Sequence, residues 1–230
     1  MNNFYDIIIL PDFYLKPKKL LMYMLRFIDT IKLADGHYEL IGCHNKRIND
    51  TINHFFGFNP AIDLNSSLPE PGKYKPGIYK CRLTYSDRIE NIEITPYIKR
   101  TIKGLKVIDL DSPAFSSGRK PFNYEFKYQD RTLINSFLTE IDDLSDILFV
   151  KNGLLTDTSF SNIILFDGEK WITPDTYLLN GVKRRHLLEN GEIIEKKVST
   201  YDLSRFQKIS LINAMLEPED VTIDICGVVF

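Results

Sequence analysis

The sequence predicts an α+β fold in two lobes, and three observations carry that expectation. Runs of strand type dominate the first half, and strands alternate with helical stretches in the second. Between the halves lies DSPAFSSGRKPFN, residues 111–123, with the composition of an exposed connector. The small N-terminal lobe is therefore expected at 1–111, the connector at 112–121 and the larger C-terminal lobe at 122–230.

Taken in order, FIDTIKL (27–33), the pair Asp35-Gly36 and HYELI read as a hairpin with a two-residue turn. CHNKRINDTINHFFG reads as a helix. Ile48, Ile52 and Phe55 recur at helical spacing, Gly57 stops the run, and Arg47 falls on the polar face. The stretch NPAIDLNSSLPEPGKYKPG is rich in Pro, Gly, Asn and Ser and reads as loop. IYKCRLTYS and IENIEITPY form a second strand pair, and LKVIDL a further strand.

Beyond the connector, KYQDRTLINSFLTEI is expected to be helical, with Leu133, Ile134, Phe137 and Ile141 on one side. DILFV, SNIILFD and KWITP are strands, NGVKRRHLLEN opens a helix, and EIIEKKVS is another strand. YDLSRF is a short helix, KISLINAML a strand running into a turn, and DVTIDICGVVF a closing strand.

Composition narrows the function classes. Apolar residues are 43% and charged residues 26%, the balance of an ordinary globular protein. A net charge of −2 gives no bulk field for nucleic acid or an anionic membrane. No apolar run approaches the length of a bilayer span, and the N-terminus lacks the pattern of a secretory leader. Cys43, Cys81 and Cys226 are odd in number and lack metal-ligand spacing. They are expected to be buried, reduced thiols in a cytoplasmic protein.

Four islands could carry chemistry. Lys127 follows an aromatic segment (Phe122, Tyr124, Phe126). Apolar neighbours desolvate an ammonium, lower its proton affinity and free the amine for Schiff-base chemistry. The bland alternative is a lysine snorkelling over an aromatic surface. In GLLTDTSFSNIILF, residues 153–166, Asp157 stands among Thr156, Thr158, Ser159 and Ser161, ahead of Asn162. It is either a turn acid bonding its own backbone or a fixed anion facing a cationic ring nitrogen. In LLNGVKRRHLL, Asn180-Gly181 precedes a helix whose first N–H groups suit an anion, and Lys183, Arg184 and Arg185 add charge. The alternative is a capped helix with a solvated basic face. Arg47, in HNKR, is the fourth; His44 is expected to brace its helix, and His186 to lie at the surface.

In this order the islands resemble the class IV aminotransferases, fold-type IV enzymes that use pyridoxal phosphate. The group includes branched-chain and D-amino acid aminotransferases and 4-amino-4-deoxychorismate lyase. The likeness runs from about Ile28 to the C-terminus. IDTIKLADG resembles the first strand and turn, and HNKR the His-x-x-Arg helix. KYQDR resembles Lys-x-x-Asn-Arg, and GLLTDTSFSNI the Gly-x-x-(Ser/Thr)-Glu-x-x-x-x-Asn run. WITPDTYLLNGVKR resembles Thr-Pro…Leu-x-Gly-x-x-Arg, and LINAML the closing Asn-Ala turn of the lyase branch.

The resemblance implies a D-amino acid aminotransferase-like fold, with a mixed, barrel-like sheet in the C-terminal lobe. It implies that Lys127 holds the cofactor as a Schiff base, that Asp157 pairs with the pyridine nitrogen and that Asn162 braces the turn. Arg47 would bind phosphate from the first lobe. Val182 and Lys183, through backbone N–H groups after Gly181, would bind it from the second, with Asn213 and Ala214 closing the cup. Arg82 and Tyr97 are weaker candidates to meet a substrate carboxylate, and Arg119 and Lys120 could form a flap. Here Asp157 replaces the usual glutamate, Lys183 stands where many members have threonine, Asp130 replaces an asparagine, and residues 1–26 do not align. The short chain, Asp130-Arg131 and Asn213-Ala214 lean toward the lyase, which releases 4-aminobenzoate, a folate precursor, and pyruvate. Aminotransfer on branched-chain or D-amino acids, or cofactor binding without turnover, are the alternatives. A homodimer is expected by resemblance; a metal, nucleic acid or membrane partner is not.

Overall fold

A computed structural model describes residues 25–113, 124–139, 141 and 145–230. The expected connector falls largely outside the described residues, as do Arg119 and Lys120. The N-terminal lobe is one antiparallel sheet of β1 (Phe27–Ala34), β2 (His37–Tyr38), β3 (Ile78–Tyr85) and β4 (Ile89–Pro96), in the order β2-β1-β3-β4. Asp35 and Gly36 turn β1 into β2 with φ of 47° and 82°, the left-handed values a two-residue hairpin turn needs. β1 pairs with β3 from Phe27↔Tyr85 to Ala34↔Ile78. This register puts Phe27, Ile31, Leu33, Cys81, Leu83 and Tyr85 on one face. Helix α1 (Ile41–Phe56) covers that face with Ile48 and Ile52, and Gly57 ends it at φ 76°.

The second half of HYELI is not strand, because α1 begins at Ile41. The expected loop before β3 contains a helical turn, α2 (Leu64–Ser67), where the Asp63 carboxylate accepts the Asn65 N–H at 3.0 Å, and a 3-10 turn at Pro71–Lys73.

Two further sheets hold the remaining strands. β5 (Gly104–Asp109), β6 (Ser145–Lys151), β7 (Leu154–Thr158) and β13 (Val228–Val229) run in the order β13-β5-β6-β7. β8 (Asn162–Phe166), β9 (Trp171–Pro174), β10 (Ile194–Lys196), β11 (Lys208–Ile212) and β12 (Thr222–Asp224) run in the order β10-β9-β8-β11-β12. Leu105, Leu148 and Leu155 of the first meet Ile163, Ile209 and Leu211 of the second in one core. The sheets are mixed and do not close into a barrel among the described residues. β5 precedes the connector yet pairs in parallel with β6, so the chain enters the second lobe's sheets before residue 111.

Three expectations change. Asp157, for which one reading was a turn acid, lies within strand β7, LLTDT. The closing strand is broken by a 3-10 turn at Ile225–Gly227. The helix expected from Lys127 is α3, Thr132–Leu138 only. The reason is an open edge. β2 covers only the Leu33–Ala34 end of β1, so Arg26 to Ile28 leave backbone groups unpaired there. Residues 127–129 take them: Ile28 N–H donates to the Lys127 carbonyl at 2.9 Å and Gln129 N–H to that of Arg26 at 2.9 Å. Local helical periodicity gives way to that pairing.

Candidate active site

The polar run at 153–166 stitches three elements together. Its carboxylate, Asp157, is buried on β7. It accepts the Asn162 side-chain amide at 2.8 Å and the backbone N–H groups of Leu178 (3.1 Å) and Leu179 (2.8 Å). All three donors are neutral, and burial pushes its pKa up to about 6. Asn162 also donates to the Leu179 carbonyl at 2.8 Å, so one amide clamps β7 and β8 to the 178–179 segment. Thr156 donates to the Phe149 carbonyl at 2.9 Å. Ser161 accepts the Asn213 amide at 2.8 Å, which ties the 158–161 turn to the turn after β11.

Lys127 comes to the same place from the side of β1. Its backbone is pinned to β1, and its amine is desolvated beside Arg47, Arg131 and Arg82. Burial and these cations, partly offset by Asp29, bring its pKa down to about 7. Arg47, on α1, donates to Asp29 through Nε at 3.2 Å and through Nη2, and His44 Nδ1 lies 2.9 Å from the same carboxylate. Arg131 donates to the Ser159 carbonyl and, at 3.2 Å, to the Tyr124 hydroxyl.

The third wall is the start of α4 (Val182–Glu189). Gly181 is its N-cap and no side chain caps it, so the first-turn N–H groups lack intrahelical acceptors. Lys183 and Arg184 do not form the solvated basic face that was one reading of this helix. Lys183 is buried, with its ammonium 2.6 Å from Glu217, and Arg184 is buried on Glu195 and on the Pro174 carbonyl, the latter at 2.9 Å. The Lys183 charge is thus directed to Glu217, not to the open helix end. His186 is half-buried. Of the cysteines, all free, Cys81 is buried, Cys43 half-buried and Cys226 exposed.

These walls border a cavity lined by Lys127, Arg47, Asp157, Asn162, Gly181 and Val182, and also by Asn213 and Ala214. Lys127, Arg131, Phe160, Asn213 and Ala214 also line a second, outer cavity. Arg82, Tyr97, Lys80 and Arg100 lie in the outer one, and among the described residues no acidic side chain does. Asp29, Tyr124, Arg131 and Arg100 were not singled out from the sequence as site residues. One had a legible signal: Asp29 falls on the inward phase of β1 with Phe27, Ile31 and Leu33, where a carboxylate is out of place.

A cavity at the junction of two lobes, with a low-affinity lysine on one wall, a buried carboxylate on another and an open helix end between, defines a site built for an anionic ligand and amine chemistry. Residues 125–221 match the family model for amino-transferase class IV. A solved structure from Haemophilus somnus, described as a candidate 4-amino-4-deoxychorismate lyase, is 27% identical; the match covers 84% of this chain and 97% of that one, with a TM-score of 0.72. An uncharacterized protein of Haemophilus influenzae is 29% identical over 84% of this chain and 98% of its own length. A hypothetical aminotransferase from Mycobacterium tuberculosis, in its pyridoxal phosphate-bound form, shares the fold, with a TM-score of 0.68 at 18% identity over 88% of this chain and 81% of that one. The chain is thus similar to class IV aminotransferases over residues 125–221 and in its fold.

Proposed function

We propose that the chain is a pyridoxal phosphate-dependent lyase that cleaves 4-amino-4-deoxychorismate to 4-aminobenzoate and pyruvate, as a homodimer in the cytoplasm. The described residues fit the cofactor. Asp157 is a buried carboxylate with three neutral donors and an elevated pKa, a place that favours a cationic partner such as a protonated ring nitrogen. Gly181 leaves the end of α4 uncapped for a phosphate. Lys127 is poised near neutrality beside both.

When bound, the cofactor supplies an aldehyde that condenses with amines and a protonated ring that withdraws electron density from the substrate carbon. The chain supplies the rest. Lys127 Nζ would anchor the cofactor, and its free amine would take the proton from the carbon bearing the substrate amine. Asp157 keeps the ring nitrogen protonated. Arg47 and the Val182 and Lys183 N–H groups hold the phosphate, and the turn at Asn213 and Ala214 closes over it. Arg82 and Arg131, on the outer cavity, hold substrate carboxylates.

The observation that carries the lyase reading is the outer cavity. Among the described residues, Lys80, Arg82, Arg100 and Arg131 line it without an acidic side chain. Aminodeoxychorismate brings two carboxylates. A branched-chain amino acid brings one, and a hydrocarbon side chain that gains nothing from the added cations. The relative from Haemophilus somnus, so described, supports the same choice. The test is turnover. Purified protein loaded with pyridoxal phosphate should be yellow, and borohydride should fix the colour to Lys127. Aminodeoxychorismate should then yield 4-aminobenzoate. Keto acid formation from a panel of D- and L-amino acids, with aminodeoxychorismate inert, assigns the aminotransferase instead. A colourless protein with no reducible adduct overturns the cofactor reading.

A further inference from the structure

The buried trio of Asp29, His44 and Arg47 is larger than holding one arginine requires. Asp29 is fully buried on β1. Its carboxylate receives Arg47 through two nitrogens and His44 at 2.9 Å. The next residue, Ile28, bonds the Lys127 carbonyl, and Phe27 bridges Tyr128. The strand that carries the carboxylate is therefore the strand that carries the reactive lysine's backbone. We propose that Asp29 is a positioning residue of the active centre, fixing the Arg47 guanidinium at the cavity wall and supplying the negative charge that faces the Lys127 amine. Its part in the reaction rests on the function proposed above; the charge relationship itself does not.

The electrostatics agree in sign. Arg47 from α1, Arg131 from Lys127's own segment and Arg82 from β3 all disfavour the charged amine, and Asp29 opposes them. Arg47, His44 and Lys127 in turn favour the Asp29 anion against its burial, holding its pKa well below the usual carboxylate range. Burial, and after it the same anion, pushes up both Cys81 and Tyr85 on β3. Burial lowers the His44 pKa, outweighing the attraction of Asp29. Asp29 is thus the anion that acts most strongly on Lys127 among the described groups, with Asp157 lining the same cavity as the lysine.

The experiment measures the rate of Lys127 acetylation against pH by mass spectrometry, in the full chain without cofactor, so it is independent of whether the cofactor reading holds. The wild-type midpoint is expected near 7. Asp29→Asn should lower it by about one to three pH units, and Asp29→Glu, which returns the charge, should bring it back toward wild type. Removing a buried anion from its partners is strongly destabilising, so Asp29→Asn can fail to fold. The comparison of Arg47→Met with Asp29→Asn/Arg47→Met then decides, since neither variant keeps the buried Arg47–Asp29 pair. A lower midpoint in the double variant supports the proposal. Equal midpoints in that pair, or in wild type and Asp29→Asn, overturn it. Failure of the wild type to bind pyridoxal phosphate, with the midpoints shifted as stated, would leave Asp29's charge role intact and sink only the proposed function.

Discussion

Asn162 and Gly181 occupy one another's space: a Cβ placed on Gly181 would stand 2.0 Å from Asn162 Oδ1. Gly181 has φ of −65°, which any residue adopts, so glycine is demanded here by contact and not by backbone strain. Asn162 cannot retreat, because its amide is committed to Asp157 and to the Leu179 carbonyl. The clamp that orients the carboxylate and the residue that opens α4 are one packed unit.

Gly181→Ala should therefore cost about 1–3 kcal/mol of stability and weaken phosphate-bearing ligands more than pyridoxal without its phosphate. Asn162→Ala in the same chain should recover part of the loss in stability, because it removes the obstructing atom. Urea unfolding of both single variants and the double measures the coupling; additive effects would argue against the contact.

Asp157 predicts a pH dependence of stability. Its folded pKa, about 6, lies above the ordinary 3.8. A raised folded pKa means that its contribution is fully present below about pH 4 and is lost as pH rises through 6. Asp157→Asn does not titrate. Its constant cost, an amide facing the Asn162 amide, leaves the pH slope as the readout. Between pH 4 and pH 7 the variant should gain on wild type by on the order of 2 kcal/mol. Parallel stability profiles for the two proteins would contradict this.

Glu217 ties the lobes together. Its carboxylate lies 2.6 Å from Lys183 of α4 and 3.3 Å from Lys32 of β1. The Glu217 side chain is 43% exposed, so screening reduces its worth. Glu217→Gln should destabilise by about 1 kcal/mol or less. Lys183 and Lys32 hold the Glu217 pKa below its ordinary value despite burial, so this contribution is present above the ordinary glutamate range and fades as acid protonates the carboxylate. Thermal melts at pH 7 and pH 3 check both points, with the variant's deficit expected only at pH 7.

Arg82 lines the outer cavity and lies near Lys127 without forming part of the inner one. Arg82→Met should leave the visible spectrum of the loaded protein unchanged while lowering kcat/KM for aminodeoxychorismate by roughly 10–100-fold, the loss of about one charge-assisted contact. Steady-state kinetics and the cofactor spectrum together test this; a changed spectrum would move Arg82 to the cofactor.

The strands and α1 were legible because their signals are local. Alternating Phe27, Ile31 and Leu33, the Asp35-Gly36 turn and the Gly57 stop each depend on a few neighbouring residues. The residue types of the site were legible for the same reason: a lysine after aromatics, a carboxylate amid hydroxyls and a glycine before a helix are short patterns. Their partners were not. Leu178 and Leu179 serve Asp157 through backbone N–H groups that any sequence supplies. Asp29 gave a trace, a carboxylate on an apolar phase, but nothing in its neighbourhood names Arg47 as its counter-ion.

Residue order therefore settled which segments extend, which coil and which side chains could react, since those preferences arise within a turn or two of backbone. Assembly in three dimensions settled the rest. The edge of β1 left open by a two-residue β2 drew 127–129 out of the helix their periodicity favours. Packing turned the Lys183 ammonium to Glu217 and buried Asp29 among its cations. Such outcomes follow from long-range pairing and desolvation, where one unsatisfied backbone group or uncompensated buried charge outweighs the few tenths of a kcal/mol by which local propensities differ.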